Sequence, residues 1–372
     1  MKVRRNILLN PGPATTSDSV KKALIVADIC PREKEFVKVV DGVRLDLVKI
    51  VKGDGQYACI LLAGSGTAAM DACINSVAPP KSRIAIINNG AYGKRLIDIA
   101  KSYSLDYVEI QSAWEKPLDP SVVEAVLKND PSIRCLAMVH HETTTGLLNP
   151  LKEVGAIAKN YNCTFIVDAI SSFAGIPIDI KKCHVDFLIS TANKCIQGMP
   201  GLAFIICHQP ELAKIRNYPR RSFYLSLFDE YSYYQKTGET RFTPPVQVVY
   251  ALRQAIKEYS KEGATGRYKR YTANWKVLRD GLERMGFKFL LRKEDESHIL
   301  MTMMEPNHPK YNFDKMHDLL YKKGFTIYPG KIGQLKTFRL ANMGDINPAD
   351  IKRFLQELKN VLKKMEVYLK ND

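Results

Sequence analysis

Residues 164–194 read TFIVDAISSFAGIPIDIKKCHVDFLISTANK. Two apolar runs in this stretch, Thr164 to Asp168 and Phe187 to Ser190, are short and rich in aliphatic and aromatic residues, so they predict buried strands. The first run ends in Asp168, and Lys194 follows the second. Ligands of open α/β sheets bind beyond the carboxyl ends of the strands, so these two residues mark the first candidate site.

The same alternation of strand and helix extends outward from this stretch, over residues 57–207. Further predicted strands are Tyr57 to Leu62, Arg83 to Asn88, Asp106 to Gln111, Arg134 to His140 and Leu202 to Cys207. Amphipathic patterns between most of them predict helices at Thr67 to Val77, Tyr92 to Tyr103, Asp119 to Lys128 and Leu151 to Tyr161. This βαβ rhythm predicts the α/β class, with a mostly parallel seven-stranded sheet covered by helices.

At 372 residues the chain exceeds what one hydrophobic core usually supports. We expect an N-terminal segment (1–17), a large α/β domain (18–262) and a smaller C-terminal α+β domain (263–372), with a hinge in the sequence GATGR near Gly263 to Gly266. The predicted elements around and beyond the hinge are helices at Val246 to Lys261, Tyr268 to Met285, Phe313 to Lys323 and from Asn347, and strands at Lys288 to Leu291, Ile299 to Met303, near Thr326 and at Thr337 to Ala341.

The bulk composition, with 45% hydrophobic and 25% charged residues, is typical of an ordinary soluble globular protein. The first residues, MKVRRNILLNPGP, hold too short an apolar run for a signal peptide, and no window reaches the roughly 18 apolar residues that cross a bilayer. We therefore expect a cytoplasmic protein. The eight cysteines lie at least twelve positions apart, which predicts reduced thiols and neither a zinc site nor a disulfide framework.

The formal net charge of +16, from 55 basic and 39 acidic side chains, is compatible with nucleic acid, an acidic membrane surface or small anionic substrates as partners. Basic residues are spread along the whole chain, and the densest cluster, Lys352 to Lys370, is typical of the solvated face of a terminal helix. The tyrosine-rich basic segment from Tyr218 to Tyr234 keeps nucleic-acid binding open as an alternative. We expect small anionic substrates, no nucleic acid and no membrane partner.

The sequence LAGSGT, from Leu62 to Thr67, is a glycine-containing turn between a predicted strand and a predicted helix. Its backbone N–H groups and the helix N-terminus would receive a phosphate, with the hydroxyls of Ser65 and Thr67 as further donors. A loose dinucleotide fingerprint is also satisfied, but the next strand ends in Asn88-Asn89 instead of the acid that binds the ribose of a nicotinamide cofactor. A glycine-rich connection without a ligand stays open as the alternative.

A carboxylate at the end of an apolar strand, as at Asp168, is costly to bury unless a cation or several donors meet it. The protonated nitrogen of a pyridine cofactor is such a partner, and the carboxylate would keep that ring an electron sink. Desolvation and a nearby cationic ring would lower the pKa of Lys194, which makes its neutral amine a nucleophile and a proton shuttle. The alternatives are a structural Asp168 that caps Ser171 or Ser172, and an ordinary lysine in a lysine-rich chain.

The predicted strand that begins at Arg134 runs into the sequence HHETTTG, residues 140–146. Adjacent residues of a strand point to opposite faces, so His140 and His141 do not predict a two-histidine site, and we expect no metal. The hydroxyl of Thr143 is placed to bond a phenolic oxygen of the cofactor. Plain packed residues are the alternative reading of the two histidines.

Several segments resemble the class V aminotransferases of fold type I, and the resemblance runs nearly the full length of the chain. These segments are LLNPGPATTS at residues 8–17, CPREKEF at 30–36, GSGTAAMDA at 64–72 and HHETTTG at 140–146. The resemblance implies an enzyme that uses pyridoxal 5'-phosphate (PLP), and an obligate homodimer whose subunits share their active sites. A cysteine desulfurase of the same fold is a weaker alternative, because it would place a histidine where Asn193 stands.

The resemblance also implies roles for residues in these segments and beyond them, including Tyr92 in NNGAYGKR at residues 88–95. The implied cofactor contacts are the phosphate-binding turn at Ser65, Gly66 and Thr67, the ring-stacking aromatic Tyr92, the hydroxyl of Thr143 near the phenolic oxygen, the ring-nitrogen partner Asp168, the Schiff-base lysine Lys194, Asn193 where relatives place a glutamine near the phosphate, and Thr243, which reaches the phosphate of the neighbouring subunit.

For the substrate, the resemblance implies that Arg339 in TFRLANMG binds a carboxylate, since a guanidinium fork suits a planar anion. A surface arginine is the alternative. We also predict substrate contacts for Gly12 and for Arg32, the latter as positive charge for a phosphonate. The branch of the family that the motifs resemble moves the amino group of 2-aminoethylphosphonate to pyruvate in two half-reactions. An aminotransferase for alanine, serine or glyoxylate is the alternative.

Overall fold

The computed structural model describes residues 6–330, 332–333 and 335–369. Residues 1–5 of the predicted N-terminal segment and Lys370, the end of the predicted basic cluster, lie outside the described residues. Within the described ranges, no helical segment combines the length and the apolar character that a passage through a lipid bilayer requires.

The strands are β1 (Ile7–Leu8), β2 (Tyr57–Ala63), β3 (Arg83–Asn88), β4 (Tyr107–Gln111), β5 (Ile133–Val139), β6 (His141–Glu142), β7 (Leu147–Leu148), β8 (Thr164–Asp168), β9 (Phe187–Thr191), β10 (Leu202–His208), β11 (Leu300–Met304), β12 (Phe325–Thr326), β13 (Tyr328–Pro329) and β14 (Thr337–Ala341). The helices are α1 (Asp18–Lys22), α2 (Lys34–Ile50), α3 (Gly66–Val77), α4 (Ala91–Ser102), α5 (Pro120–Asn129), α6 (Leu151–Asn160), α7 (Gln209–Lys214), α8 (Leu227–Thr237), α9 (Val246–Arg284), α10 (Phe313–Lys322) and α11 (Pro348–Lys364).

A seven-stranded sheet with the order β2-β10-β9-β8-β5-β3-β4 forms the centre of the molecule. Its strands are parallel except β10, which runs antiparallel to both of its neighbours. The mostly parallel seven-stranded sheet that the apolar runs predict is therefore confirmed, with strand ends that differ from the prediction by at most one residue.

Strand β8 shows why the central strands are apolar at almost every position. Phe165 and Val167 belong to the core that contains residues of α2, α5, α6 and α9, while Ile166 between them belongs to the core with α3 and α4. Successive residues of a strand face opposite sides, so a sheet with helices on both sides buries all of them. Full burial of side chains of this size contributes roughly 1.5–3 kcal/mol each.

The register of the sheet positions the candidate site. Asp168 pairs with Val139 of β5 and with Ile189 of β9. The backbone N–H of His140 donates to the Asp168 carbonyl at 2.8 Å. Because β5, β8 and β9 are parallel neighbours, the residues that follow them, including the turn with Lys194, meet at one edge of the sheet.

A second, three-stranded sheet with the order β11-β14-β13 packs with α10, α11 and the end of α9 around the side chains of Trp275, Phe338 and Phe354. Strand β1 pairs in parallel with β12, so the chain's beginning joins this part of the molecule. The strand predicted at Lys288 to Leu291 is wrong: Phe289 forms only an isolated bridge, because the chain turns into a short 3₁₀ helix at Lys293–Asp295.

Helix α9 spans the predicted hinge and is 39 residues long. It breaks at one residue, Gly263, whose φ of 73° and ψ of 163° suit a residue without a Cβ atom. Glu262 forms ion pairs with Arg267 and Arg270 across the break, and Arg267 Nη1 donates to the Cys195 carbonyl at 2.6 Å. The break therefore contacts the turn that carries the candidate lysine, while the proposed domain limits at 17 and 262 stay predictions.

Candidate active site

Lys194 lies in the turn after β9, where its amine bonds to the carbonyl oxygen of Pro11. Gly12 packs so closely on the Lys194 side chain that a Cβ atom there would overlap it. The pKa of Lys194 is lowered to about 8, mainly by burial and in smaller part by the charges of Arg339 and Arg95, while Cys195 and Asp168 oppose the change. With this pKa, about a tenth of the Lys194 amine is neutral at pH 7. The sequence predicts such a lowered pKa for a nucleophilic lysine at this position.

Asp168 ends β8 and is buried, with 3% of its surface exposed. Its Oδ1 accepts a hydrogen bond from the Ile170 N–H at 2.8 Å, whereas the hydroxyl of Ser172 pairs with His140 Nδ1 at 2.9 Å. Burial raises the pKa of Asp168 to about 7, although the charges of Lys194 and Arg95 oppose this rise. Among the described residues the carboxylate caps neither Ser171 nor Ser172, and it lacks the cation that its burial calls for.

The HHETTTG segment follows β5 at the same edge. His140 faces Ser172, and His141 Nε2 lies 2.8 Å from the hydroxyl of Ser297 on the opposite side. Burial lowers the pKa values of His140 and His141 to about 4 and about 3, so both rings are neutral at pH 7. The Thr143 hydroxyl is fully buried and has no hydrogen-bond partner in the described part of the chain.

Glu142 is a site residue that the sequence reasoning did not identify. Its buried carboxylate accepts hydrogen bonds from the N–H groups of Tyr92 at 3.1 Å and Thr144 at 3.0 Å, and it lies 3.4 Å from the N–H of Gly93. Gly90 packs directly on this carboxylate and leaves no room for a Cβ atom. An acid that accepts bonds from the first turn of α4 stabilises that helix end and fixes Tyr92 at the site.

The predicted phosphate turn and the predicted stacking residue lie close together. Thr67 in the first turn of α3 accepts a hydrogen bond from Arg95 Nη1 at 3.2 Å, and the Arg95 guanidinium lies 4.7 Å from the centre of the Tyr92 ring. The Ser65 side chain precedes α3 without capping it, and a Cβ atom at Gly66 would meet Ile170 at 2.7 Å. The four predicted residues thus form one side of the site together with Arg95, which the prediction omitted although it lies in the NNGAYGKR motif.

Asn193, directly before Lys194, holds the turn. Its Oδ1 accepts a hydrogen bond from the Thr191 hydroxyl at 2.9 Å, and its carbonyl accepts one from the Ala14 N–H at 2.9 Å. The same turn therefore meets β9 on one side and the N-terminal segment on the other.

Arg339 reaches the site from β14 of the small sheet. Its Nη1 donates to the Thr143 carbonyl at 3.0 Å, and its Nε and Nη2 both donate to the Pro329 carbonyl, at 3.3 and 3.1 Å. Only 6% of its surface is exposed, and burial lowers the pKa of its guanidinium. The alternative of a surface arginine is wrong, and within the described residues no acid forms an ion pair with Arg339, so two N–H groups remain for an anion.

Thr243 and Arg32 both lie by the segment that follows α8. Thr243 is exposed and lines a cavity of about 20 Å³ with Phe242, Tyr224 and Ala63, the last residue of β2. Arg32 is exposed and forms an ion pair with Glu239, which directly precedes Thr240 in the lining of the same cavity. Over the described ranges, no hydrogen bond or ion pair joins either residue to Lys194, Asp168 or Arg339.

The site therefore combines a partly neutral amine with a buried acid and a buried guanidinium, neither of which forms an ion pair within the described part of the chain, beside a helix N-terminus lined with hydroxyls. Such a set can bind a flat cationic ring through the acid and planar anions through the guanidinium. The amine can form a covalent bond to a carbonyl carbon and can move a proton.

Comparison with known proteins gives the family. The family model described as "Aminotransferase class-V" matches residues 21–345. Two curated proteins called 2-aminoethylphosphonate--pyruvate transaminase, from Salmonella heidelberg (strain SL476) and Salmonella typhimurium (strain LT2), are each 40% identical over 365 residues, which cover 97% of this chain and 99% of theirs.

Solved structures agree with this match. The crystal structure of an alanine--glyoxylate aminotransferase from Nostoc sp. is 26% identical, covers 97% of this chain and 96% of its own, and has a TM-score of 0.90. The crystal structure of ureidoglycine-glyoxylate aminotransferase from Bacillus subtilis is 22% identical, covers 100% of this chain and 96% of its own, and has a TM-score of 0.91. It shares the fold of this chain, which is the fold type I of PLP enzymes. The chain belongs to the class-V aminotransferase family.

Proposed function

We propose that this aminotransferase moves the amino group of 2-aminoethylphosphonate to pyruvate, giving phosphonoacetaldehyde and L-alanine. The observation that carries the proposal is the 40% identity to curated transaminases of that name over nearly the whole of both chains. Both substrates are anions, which suits a site whose buried guanidinium, Arg339, has no acidic partner among the described residues.

Enzymes of this family use PLP, and the residues of this chain fit that group. The buried Asp168 carboxylate needs a cationic N–H, which a protonated pyridine ring supplies. The buried hydroxyl of Thr143 needs a hydrogen-bond partner, which a phenolic oxygen supplies. The lowered pKa of Lys194 suits an amine that binds an aldehyde. We therefore assign Asp168, Thr143 and Lys194 to the coenzyme ring and its substituents.

The remaining coenzyme contacts are proposed on the same side of the site. The phosphate would lie at the N-terminus of α3, whose first N–H groups and hydroxyls at Ser65, Gly66 and Thr67 suit an anion. Tyr92, which the Glu142 carboxylate holds at the start of α4, would stack on the ring. Asn193 would support the Lys194 turn near the phosphate.

When bound, the protonated coenzyme ring acts as an electron sink for the substrate carbon that carries the amino group. The ionised Asp168 holds the proton on the ring nitrogen, which sustains that capacity. Lys194 Nζ, neutral in part because of its burial, would take the proton from the substrate carbon that carries the amino group and deliver it to the former aldehyde carbon of the coenzyme, and would carry it in the opposite direction in the pyruvate half-reaction. Arg339 orients the carboxylate of pyruvate by paired hydrogen bonds while it keeps its bonds to the backbone of Thr143 and Pro329.

Gly12 and Arg32 are proposed as substrate contacts on different grounds. Gly12 lies against the Lys194 side chain, so any larger residue would displace the amine. Arg32 is exposed and shares its charge with Glu239, and its proposed role toward the phosphonate rests on its charge alone.

A homodimer with shared sites is the proposed assembly. Phe223 and Tyr224 are 69% and 41% exposed, and Tyr224 stacks on Phe242 with ring centres 4.7 Å apart. An exposed aromatic cluster of this kind marks an interaction surface, and Thr243 follows Phe242 directly. A second copy on this surface would bring Thr243 toward the other subunit's phosphate. The cytoplasmic location stays a prediction.

The test is a profile of amino donors and acceptors with the purified, PLP-loaded enzyme. We expect the highest kcat/KM with 2-aminoethylphosphonate and pyruvate, and parallel double-reciprocal lines, because both half-reactions use one site. Lys194→Ala should abolish turnover, whereas Lys182→Ala, which removes an exposed lysine, should not. An enzyme that ignores 2-aminoethylphosphonate but converts serine or alanine with glyoxylate would refute the substrate assignment.

A further inference from the structure

We propose that Arg95 is a direct ligand of the coenzyme phosphate, a role beyond those of the glycine turn and of Thr243. The proposal rests on the proposed function in that the phosphate is taken to lie at the N-terminus of α3. It adds a guanidinium from a different helix, α4, to that site.

The position of the Arg95 guanidinium is the first argument. Arg95 Nη1 donates to the hydroxyl of Thr67 at 3.2 Å, and Thr67 lies in the first turn of α3. The first four N–H groups of a helix have no partner within it, and the Ser65 side chain leaves this end of α3 uncapped. The guanidinium therefore lies beside a set of free donors at the place where an anion is most stable.

The lack of an acidic partner is the second argument. Within the described ranges no carboxylate forms an ion pair with Arg95, whereas Arg83, another arginine of the same domain, pairs with both Asp106 and Asp130. The charge of Arg95 nevertheless acts on the site: it opposes the burial-driven rise in the pKa of Asp168 and contributes to the lowered pKa of Lys194. A guanidinium that faces hydroxyl and N–H donors but no carboxylate is typical of a phosphate site.

The rigidity of the Arg95 helix is the third argument. The buried Glu142 carboxylate accepts hydrogen bonds from the first turn of α4, and Arg95 lies one turn further on, over the Tyr92 ring. Two contacts, to Thr67 and to Tyr92, hold the guanidinium between the proposed phosphate and the proposed ring position. Less side-chain entropy is then lost when it binds an anion.

The test compares PLP with pyridoxal, which has the same ring and aldehyde but no phosphate. Apoenzyme is titrated with each aldehyde, and the growth of the yellow absorbance gives two Kd values. Arg95→Ala should raise the Kd of PLP by ~10-fold, the loss of one charge-assisted hydrogen bond at a partly exposed site, and should change the Kd of pyridoxal by less than about twofold. The matched control is Lys94→Ala, which removes a neighbouring exposed cation of the same helix and should change neither value.

Other outcomes overturn the proposal. If Arg95→Ala weakens the binding of PLP and of pyridoxal equally, Arg95 acts on the ring through Tyr92. If the Kd of PLP is unchanged but the KM for 2-aminoethylphosphonate rises, Arg95 binds the substrate phosphonate instead. Arg95→Gln, which keeps part of the stem that covers Tyr92, should give the same selective loss if the alanine variant folds poorly. Absence of the yellow band in the unaltered protein with either aldehyde would refute the proposed function, and this proposal with it.

Discussion

Asp168 should make the coenzyme-free protein less stable as the pH rises, and the coenzyme should remove this effect. Burial raises the pKa of Asp168 from 3.8 to about 7 in the folded protein. A carboxyl with a raised pKa holds its proton longer when folded, so its stability contribution is complete below pH 3.8 and is lost as the pH rises through 7. The difference of about three units between the two pKa values corresponds to a loss of roughly 4 kcal/mol in the free energy of unfolding. Roughly 3 kcal/mol of this loss falls between pH 5 and pH 8.

The assay is urea unfolding of apoenzyme and PLP-loaded enzyme at pH 5 and pH 8, for the unaltered protein and for Asp168→Asn. The amide keeps an oxygen for the Ile170 N–H but cannot ionise. Between pH 5 and pH 8 the unaltered apoenzyme should therefore lose roughly 3 kcal/mol more free energy of unfolding than the variant. Bound PLP should cancel this difference, because the ring N–H supplies the missing cation.

Glu230 provides the matched control, since burial also raises its pKa to about 7, in a cavity lined by Phe242 and Thr243. Glu230→Gln should flatten the pH dependence of apoenzyme stability in the same way, but PLP should not replace its effect. If the Asp168→Asn variant and the unaltered apoenzyme lose stability in parallel, or if PLP leaves the difference unchanged, Asp168 does not meet a coenzyme cation and the reasoning is wrong.

Three further predictions follow from the same site. Arg339→Ala should raise the KM for pyruvate by ~10–100-fold in steady-state kinetics and should lower the free energy of unfolding by ~1–3 kcal/mol, because the carbonyls of Thr143 and Pro329 lose their donor; an unchanged KM would contradict the carboxylate role. At a PLP concentration too low to load Thr243→Ala, this variant and Lys194→Ala should each be inactive, whereas a 1:1 mixture that has exchanged subunits should regain about a quarter of the unaltered activity, because half of the dimers are hybrids with one complete shared site; no recovery would contradict sharing. Glu142→Gln should lower the free energy of unfolding by ~1–3 kcal/mol and weaken PLP binding, because the amide has one oxygen where the carboxylate uses two to accept bonds from α4 and from Thr144; equal stability in urea would contradict the capping role.

The sheet could be predicted from the sequence because strands that are buried on both faces appear as short, continuous apolar runs. Strand β8 is apolar at successive positions, and the polar residues that end such strands, Asp168 and the turn with Lys194, meet at one edge by the geometry of parallel pairing. The predicted strand at Lys288 to Leu291 failed because a short apolar run does not reveal whether a partner continues beside it.

Contacts between distant segments could not be predicted in this way. Glu142 and Arg95 both lie in motifs that the sequence brought to notice, yet nothing local indicates that the first would accept bonds from α4 or that the second would reach Thr67. Both contacts depend on how α4 packs on the sheet. Arg339 was placed by resemblance alone, and its burial against the Thr143 carbonyl is a property of the folded chain.

The most direct test of the central claim is a spectral titration of the PLP-loaded enzyme with 2-aminoethylphosphonate in the absence of pyruvate. The account predicts a yellow protein whose colour fades in proportion to the amine added and returns when pyruvate follows, while Lys194→Ala shows neither the original band nor this cycle. A protein that stays colourless with PLP, or a band that persists in Lys194→Ala and ignores the amine, would contradict the account.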